Sequence, residues 1–333
     1  MRVLVTGATG DVGRHVTERL LADGMVVRAL CRSVPEGLPR AVEVVHGDLT
    51  KPETLDPAAA GVDAVVHCAA HLGGGGRELH RRVNVAGTAA LLAAAQRARV
   101  GRVVHVSTVA VYGRKGDGQF VRAADGYDPL PELRDDYAWS KIAAEGWVRL
   151  YRDHGGLDAV VLRPGIVYGG RRDFVARVAR RSVGPLLVVL GSPAMLLPMV
   201  HVHDVAEAVL RVLRISRAPA EGLDLVGPDM PTQAEYLRRR NAARDQRVVP
   251  IYLRAAILLR KLAALESARM ARALAYRLAW ATQSVRYDVD PLSRALGWSP
   301  RIDLARGLAP HVVHGAAGAL PLTTAATATA PPP

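Results

Sequence analysis

The stretch Thr6-Gly7-Ala8-Thr9-Gly10-Asp11-Val12-Gly13 joins a short apolar run, Val3–Thr6, to a helical pattern, Asp11–Asp23. A strand, a tight turn and a helix in that order create a particular chemistry. Gly7 permits the turn, Gly10 lets a ligand approach the backbone, and Gly13 lets helix and strand pack closely. The helix then presents free N–H groups and a partial positive charge to whatever fills the turn. Glycines at this spacing, in this context, point to a bound pyrophosphate. Thr9, Asp11 and Val12 complete the turn and are candidate cofactor contacts with the three glycines.

Outward from the turn, short β-branched runs alternate with longer helical patterns. Val26–Leu30, Val42–Val45, Ala64–His67, Val103–Val106 and Ala159–Leu162 read as strands. Glu78–Arg99 and Asp135–His154 read as helices. The alternation predicts an α/β fold, a Rossmann-type doubly wound parallel sheet. Its nearly continuous apolar strands suit a sheet covered on both faces. From about Gly165 the pattern loosens. Asp204–Ile215 and Gln233–Arg244 read as helices, Leu223–Val226 as a strand, and Ile251–Thr282 as mostly helical. This gives a dinucleotide-binding domain over 1–165 and a smaller C-terminal substrate lobe over 166–314, with some segments returning to the sheet. The Ala-, Thr- and Pro-rich tail, 315–333, reads as disordered. Gly73–Gly76 reads as a flexible loop, and no internal repeat is evident.

The end of the second strand selects the cofactor. An acid about 20 positions past the glycines would grip a ribose 2′-hydroxyl. Arg28-Ala29-Leu30-Cys31-Arg32-Ser33 holds none. Arg32 can instead hold a 2′-phosphate with paired donors, and Arg28 could assist. This favours NADP(H) over NAD(H), although a plain surface arginine would look the same. Asp48, in Gly47-Asp48-Leu49, could accept from an adenine amino group or simply cap its loop, with Leu49 beside it. Ala69 and Ala70 are small enough for a cofactor to lie against the backbone.

Tyr137 and Lys141 are four residues apart, which on a helix places them on one face. An ammonium there favours the phenolate, so Tyr137 can exchange a proton with an alcohol or carbonyl oxygen near neutral pH. Thr108 or Ser107, at the end of the fifth strand, could hydrogen-bond the reacting oxygen or merely satisfy local backbone. Asn84 lies mid-helix, where Asn is a poor helix former. It is a candidate for holding a water or a backbone carbonyl near the site.

The 333 residues carry a formal charge of +13 and are half apolar, which fits a globular chain with a substantial core. The charge suits an anionic ligand or surface, or a solvated Arg-rich exterior. No nucleic-acid module accompanies it, so no nucleic-acid partner is expected. Two cysteines, Cys31 and Cys68, outside any Cys/His cluster imply neither disulfide framework nor metal site. The N-terminus lacks the features of a signal peptide, and no apolar run reaches the ~18 residues of a membrane span, so cytoplasm is the default expectation.

Together, TGATGDVG, GDL, HCAA, NVAGT, VSTVAVYG, YAWSK, LRPGIVYG and VHVHDVA, with a late segment from Asp290-Pro291 to LGWSP, resemble an extended short-chain dehydrogenase/reductase, in the NAD(P)-dependent epimerase/dehydratase superfamily. The resemblance spans nearly the whole chain. It implies that Tyr137 is the catalytic acid/base, that Lys141 binds the nicotinamide ribose, and that Thr108 stands where the family usually has Ser. It also implies that Arg163-Pro164-Gly165 lies beside the nicotinamide. The family's dehydratases carry Asp-Glu where this chain has Thr108-Val109, and its sugar-nucleotide enzymes use Asn and Arg where this chain has Ile166 and apolar Leu196–Met199. The character is therefore closest to hydroxysteroid- and flavonoid-type reductases. A secondary alcohol or ketone of a largely apolar small molecule is the expected substrate, and a nucleotide-sugar epimerase with tightly bound NAD the alternative. A cofactor-binding sensor without chemistry would not need Tyr137 and Lys141. Segment 251–282, apolar with interspersed Arg, could be a lid, a peripheral membrane contact or ordinary packing. A homodimer stays open.

Overall fold

The computed structural model describes residues 1–33, 37–170, 179–183, 186–243, 249–253 and 269–309. The Val-rich runs become strands: β1 (Arg2–Thr6), β2 (Val26–Cys31), β3 (Glu43–His46), β4 (Ala64–His67), β5 (Arg102–Val106), β6 (Phe120–Val121), β7 (Ala159–Pro164), β8 (Ile166–Tyr168), β9 (Ala179–Val183), β10 (Leu186–Leu190), β11 (Met199–His201), β12 (Leu223–Leu225), β13 (Val249–Leu253) and β14 (Arg286–Tyr287). Seven of them form one sheet in the order β12-β7-β5-β4-β1-β2-β3, and every pair in it is parallel. The order reverses at β1, between β2 and β4. That switch point is where open α/β sheets bind ligands, beyond the carboxyl ends of the strands.

Side chains alternate between the two faces of each strand. Val3 and Val5 pack into one apolar core with α1 (Asp11–Ala22) and the Val202–Arg214 helix. Leu4 packs into the other, with α2 (Leu55–Ala59), α4 (Gly87–Arg97) and α5 (Asp136–Asp153). Val16 and Leu20 of α1 are fully buried, as are Val205 and Val209 opposite them. The late segment returns to the first core through Leu292 and Trp298. Asp204 fastens it by accepting the backbone N–H groups of Arg301 and Ile302 at 3.1 and 2.9 Å.

The expected helix 78–99 is helical but starts at Gly76. It runs as α3 (Gly76–His80), a π-turn over Arg81–Ala86, and α4. Gly76 therefore belongs to a helix rather than to the loop expected there. The helical expectation over 251–282 is corrected in part. Ile251–Leu253 belongs to β13, which pairs with β10, because Val249, Ile251 and Tyr252 favour extended backbone. Arg269–Ala281 is helical, and 254–268 lies outside the described residues, as does the tail 315–333. Among the described residues no helix is long and apolar enough to cross a membrane.

Candidate active site

A groove of about 1140 Å³ runs along the carboxyl ends of β1, β2, β4, β5 and β7. That exceeds the roughly 300–1,000 Å³ typical of small-ligand pockets, so it suits a large ligand. Gly7, Thr9, Gly10, Asp11, Val12 and Gly13 line one stretch. Arg32, Asp48 and Leu49 line it beside β2 and β3, and Ala69 and Ala70 beyond β4. Ser107, Thr108, Tyr137, Lys141 and Pro164 line the same groove. Nearly all of the site residues singled out from the sequence thus share one cavity.

The glycine turn is a backbone cradle. Gly7 has φ of +72°, a left-handed conformation that side chains disfavour. A Cβ there would lie 2.7 Å from Ala69 Cα and N. Gly10 caps α1 without a side-chain hydrogen bond. A Cβ on Gly13 would overlap the Gly7 carbonyl. Gly13→Ala must therefore push α1 off the turn. Titration with a nicotinamide dinucleotide is expected to show at least about tenfold weaker binding than in the unsubstituted protein, the loss of one well-made phosphate interaction.

Two arginines fall outside the expected places. Arg28 cannot assist Arg32, because its guanidinium is committed to Glu43 and to the Ala58 and Ala60 carbonyls at 2.7–3.0 Å. Arg163 does not line the groove, although Pro164 and Gly165 do. Its side chain turns to Glu145, as strand alternation requires when its neighbour faces the ligand side. Asp48 lines the groove and also caps its turn: Oδ1 accepts from the Thr50 N–H and hydroxyl at 2.8 and 2.9 Å. The proposed cofactor and capping roles of Asp48 are thus compatible, since one oxygen remains for a ligand.

Asn84 is buried in the π-turn and does not line the groove. Its amide donates to the His71 carbonyl and the Ser140 hydroxyl at 3.0 and 2.9 Å, and its Oδ1 accepts the His71 N–H. It holds a backbone carbonyl, one of its two expected tasks, and ties the loop after β4 to α5. Asn84 is thus placed behind the groove lining rather than in it.

α5 starts at an Asp135 cap that accepts the Ala138 N–H at 2.9 Å, so Tyr137 sits in its first turn and Lys141 one turn later. Lys141 is 3% exposed and donates to the Val106 carbonyl at 2.8 Å. Burial pushes its ammonium down to about 8, with the Glu145 charge opposing. Thr108, two residues past β5, caps the short turn Val109–Val111 with its hydroxyl accepting the Ala110 N–H at 3.2 Å, which leaves its own proton for an acceptor in the groove. Ser107 Oγ, also lining the groove, is buried with no hydrogen-bond partner among the described residues. Beneath Lys141, His67 bridges the hydroxyls of Thr6 and Thr88 at 2.7 and 2.9 Å. Burial pushes it down to about 3, so it stays neutral.

Sequence reasoning alone misses Glu145, Tyr112, Asp224 and Arg134, all buried and charged or hydrogen-bonded. For Glu145 a signal exists: an acid one turn beyond Lys141 on an otherwise small and apolar helix face. The apolar stretch Leu196–Met199, which stands where sugar-nucleotide enzymes use Arg, belongs in part to a buried apolar cluster. Leu197 and Met199 are 2% exposed and do not line the groove. The nonpolar lining comes instead from Leu72, Leu79, Val83, Val167 and Val202. Tyr276, Arg277 and Trp280 of the Arg269–Ala281 helix are hydrogen-bonded to Asp128, Leu133, Arg134 and Tyr112. Among the described residues no group of His, Cys, Asp and Glu could hold a metal, and both cysteines are free.

Residues 3–225 match the model of the NAD dependent epimerase/dehydratase family. A 4-hydroxy-2-methyl-3-oxo-4-farnesyl-3,4-dihydroquinoline-1-oxide ketoreductase of Stigmatella aurantiaca is 38% identical over 51% of this chain and 51% of its own length. A 3 beta-hydroxysteroid dehydrogenase/Delta 5-->4-isomerase of Mycobacterium tuberculosis is 33% identical over 61% of this chain and 57% of its own. The chain thus spans a little over half the length of these curated relatives. A Thermus thermophilus UDP-glucose 4-epimerase, solved with NAD, is 25% identical with a TM-score of 0.73, over 94% of this chain and 98% of that one.

Proposed function

Because the chain belongs to the NAD dependent epimerase/dehydratase family, we propose that it is an NADP(H)-dependent oxidoreductase acting on a secondary alcohol or ketone of a largely apolar small molecule. The observation that carries the proposal is the gathering of Thr108, Tyr137 and Lys141 in one groove with the glycine turn. The groove fits a dinucleotide in its size, its backbone cradle and the absence of an acid at the end of β2. When bound, NADP(H) supplies or accepts the hydride.

The residues around that hydride have separate tasks. The Thr108 hydroxyl donates to the substrate oxygen and holds it. The Tyr137 hydroxyl gives its proton to that oxygen in reduction and regains it in oxidation. The Lys141 ammonium favours the phenolate and so brings the Tyr137 proton into a useful range. Gly7, Gly10, Gly13 and the N-terminus of α1 would hold a pyrophosphate, and Ala69 and Ala70 would admit the cofactor to the backbone.

Arg32 is assigned to the ribose 2′-phosphate. Arg32→Ala is expected to weaken NADPH binding by about tenfold or more, the share of one charge-assisted pair, while NADH binding barely changes. Equal losses for the two cofactors would remove the NADP(H) preference from this residue.

The names of the curated relatives, a farnesyl-quinoline ketoreductase and a hydroxysteroid dehydrogenase, support an apolar substrate, as does the nonpolar lining of the groove. A second reading rests on the NAD-bound epimerase neighbour: oxidation and re-reduction of a sugar nucleotide in one site. A screen of ketones of graded polarity with NADPH, in parallel with NADH, separates the two. Consumption of NADPH that rises with the apolar character of the ketone supports the proposal. No net consumption, with NAD retained through purification, supports the epimerase.

A further inference from the structure

α5 carries a third polar residue on the face of Tyr137 and Lys141. Glu145 lies one turn beyond Lys141 and is 1% exposed. Residues four apart on a helix are neighbours, so its carboxylate faces the ammonium's side of the helix. Arg163 holds that carboxylate through Nη2 at 2.7 Å and Nε at 3.1 and 3.2 Å. Arg163 Nη1 donates to the Tyr112 hydroxyl at 2.7 Å, which donates in turn to Asp224 at 2.7 and 2.8 Å. A continuous buried chain therefore runs from the end of β7 to the helix that carries the acid/base pair.

A buried ammonium with a single carbonyl partner needs a compensating negative charge to stay protonated. The groups facing Lys141 identify it. On α5 they are Tyr137 and Glu145, on β4 His67, just beyond β4 Cys68, and on β5 His105, while Arg163 of β7 is paired with Glu145. His67 and His105 are driven far down by burial and then by Lys141, so they stay neutral. Burial pushes the Cys68 thiol up to about 12, so it is not an anion. Asp136, in the first turn, is paired with Arg77 at 3.1 Å on the partly exposed side. Asp224 lies at the far end of the chain, beyond Arg163 and Tyr112. Glu145 is the formal anion left to face Lys141 among these groups.

We propose that Glu145 is a positioning residue that keeps the Lys141 ammonium charged in its water-excluded site, and that Arg163 fixes the carboxylate for that task. The inference rests on the reading of Tyr137 and Lys141 as the acid/base pair. It explains why Arg163, at the very edge of the groove, turns its charge inward rather than toward a ligand.

The test uses the protein without cofactor. The chain has four lysines, Lys51, Lys115, Lys141 and Lys261, so lysine-selective isotope labelling gives four signals to titrate by NMR. The signal lost in Lys141→Met assigns the site. In Glu145→Gln the Lys141 midpoint is expected to fall by about one pH unit or more, the usual effect of losing a close opposite charge. The remaining lysine signals serve as the internal control. Glu145→Asp, which keeps the charge, restores most of the wild-type midpoint. Should Glu145→Gln fail to fold because Arg163 is left unpaired, Glu145→Gln/Arg163→Met removes both charges, and a downward shift of Lys141 is still expected. An unchanged Lys141 midpoint in the folded variant overturns the inference. A shifted midpoint in a protein that reduces no ketone overturns the proposed reaction instead, and leaves the electrostatic assignment standing.

Discussion

Tyr137→Phe is expected to lower the rate of ketone reduction by about 10³-fold, within the 10²–10⁴ range for a positioned proton donor, and to leave NADPH affinity essentially unchanged. The phenol sits in the first turn of α5, whose start is capped by Asp135. Phe keeps the ring and the packing, so the backbone of the groove should persist. What is lost is the proton that Lys141 makes available. Steady-state turnover and a fluorescence titration with NADPH check the two halves separately. A parallel collapse of both would point to a structural role. Retained turnover would remove Tyr137 from the chemistry altogether.

The second large effect is on stability. Arg134 and Asp128 form an ion pair at 2.6 Å with both side chains fully buried. Arg134 also donates to the Tyr112 and Ala110 carbonyls, each at 2.9 Å, and stacks on Trp280 at 4.0 Å from the ring centroid. Tyr276 adds a donor to Asp128 at 2.6 Å. Removing one member leaves a buried charge uncompensated. Arg134→Met is therefore expected to cost about 3–5 kcal/mol in denaturant unfolding. Arg134→Met/Asp128→Leu should cost clearly less than the sum of the single changes, because replacing both charges by apolar groups avoids the orphan. Additive losses would mean that the two residues act independently. Since the Ala110 and Tyr112 carbonyls flank the short turn after Thr108, turnover should fall along with stability in the single variant.

The legible parts of the chain were those in which chemistry and spacing sit together in sequence. Gly7, Gly10 and Gly13 occupy one turn, and Tyr137 and Lys141 one helical face, so local periodicity places them without tertiary information. The same holds for the βαβ alternation, whose seven-stranded outcome follows from short Val-rich runs with helices between them. Direction within a strand was harder to read. Arg28 and Arg163 belong to strands whose ends meet the groove, yet the two-residue alternation turns both guanidinia to the α2/α5 face, onto Glu43 and Glu145. A shift of one residue in the assumed facing reverses such an assignment.

Long-range pairing was illegible for a different reason. Arg134 and Asp128 look like loop charges in sequence, and the Arg269–Ala281 helix packs on them through Tyr276 and Trp280. β13 was concealed by the Ala- and Leu-rich segment that follows it, where composition favours helix. Asn84 was marked by its poor helix propensity, but the π-turn and the loop it holds after β4 are products of packing.

In the proposed reaction, hydride passes from NADPH held in this groove to a carbon of a separate, largely apolar molecule. NADPH deuterated at its transferable position, supplied with an apolar ketone that the protein consumes, tests it most directly. The expected result is one deuterium on the carbinol carbon of each alcohol formed, matched by one oxidised cofactor. Deuterium that never leaves the cofactor, while a sugar nucleotide is interconverted without net oxidation, would contradict it.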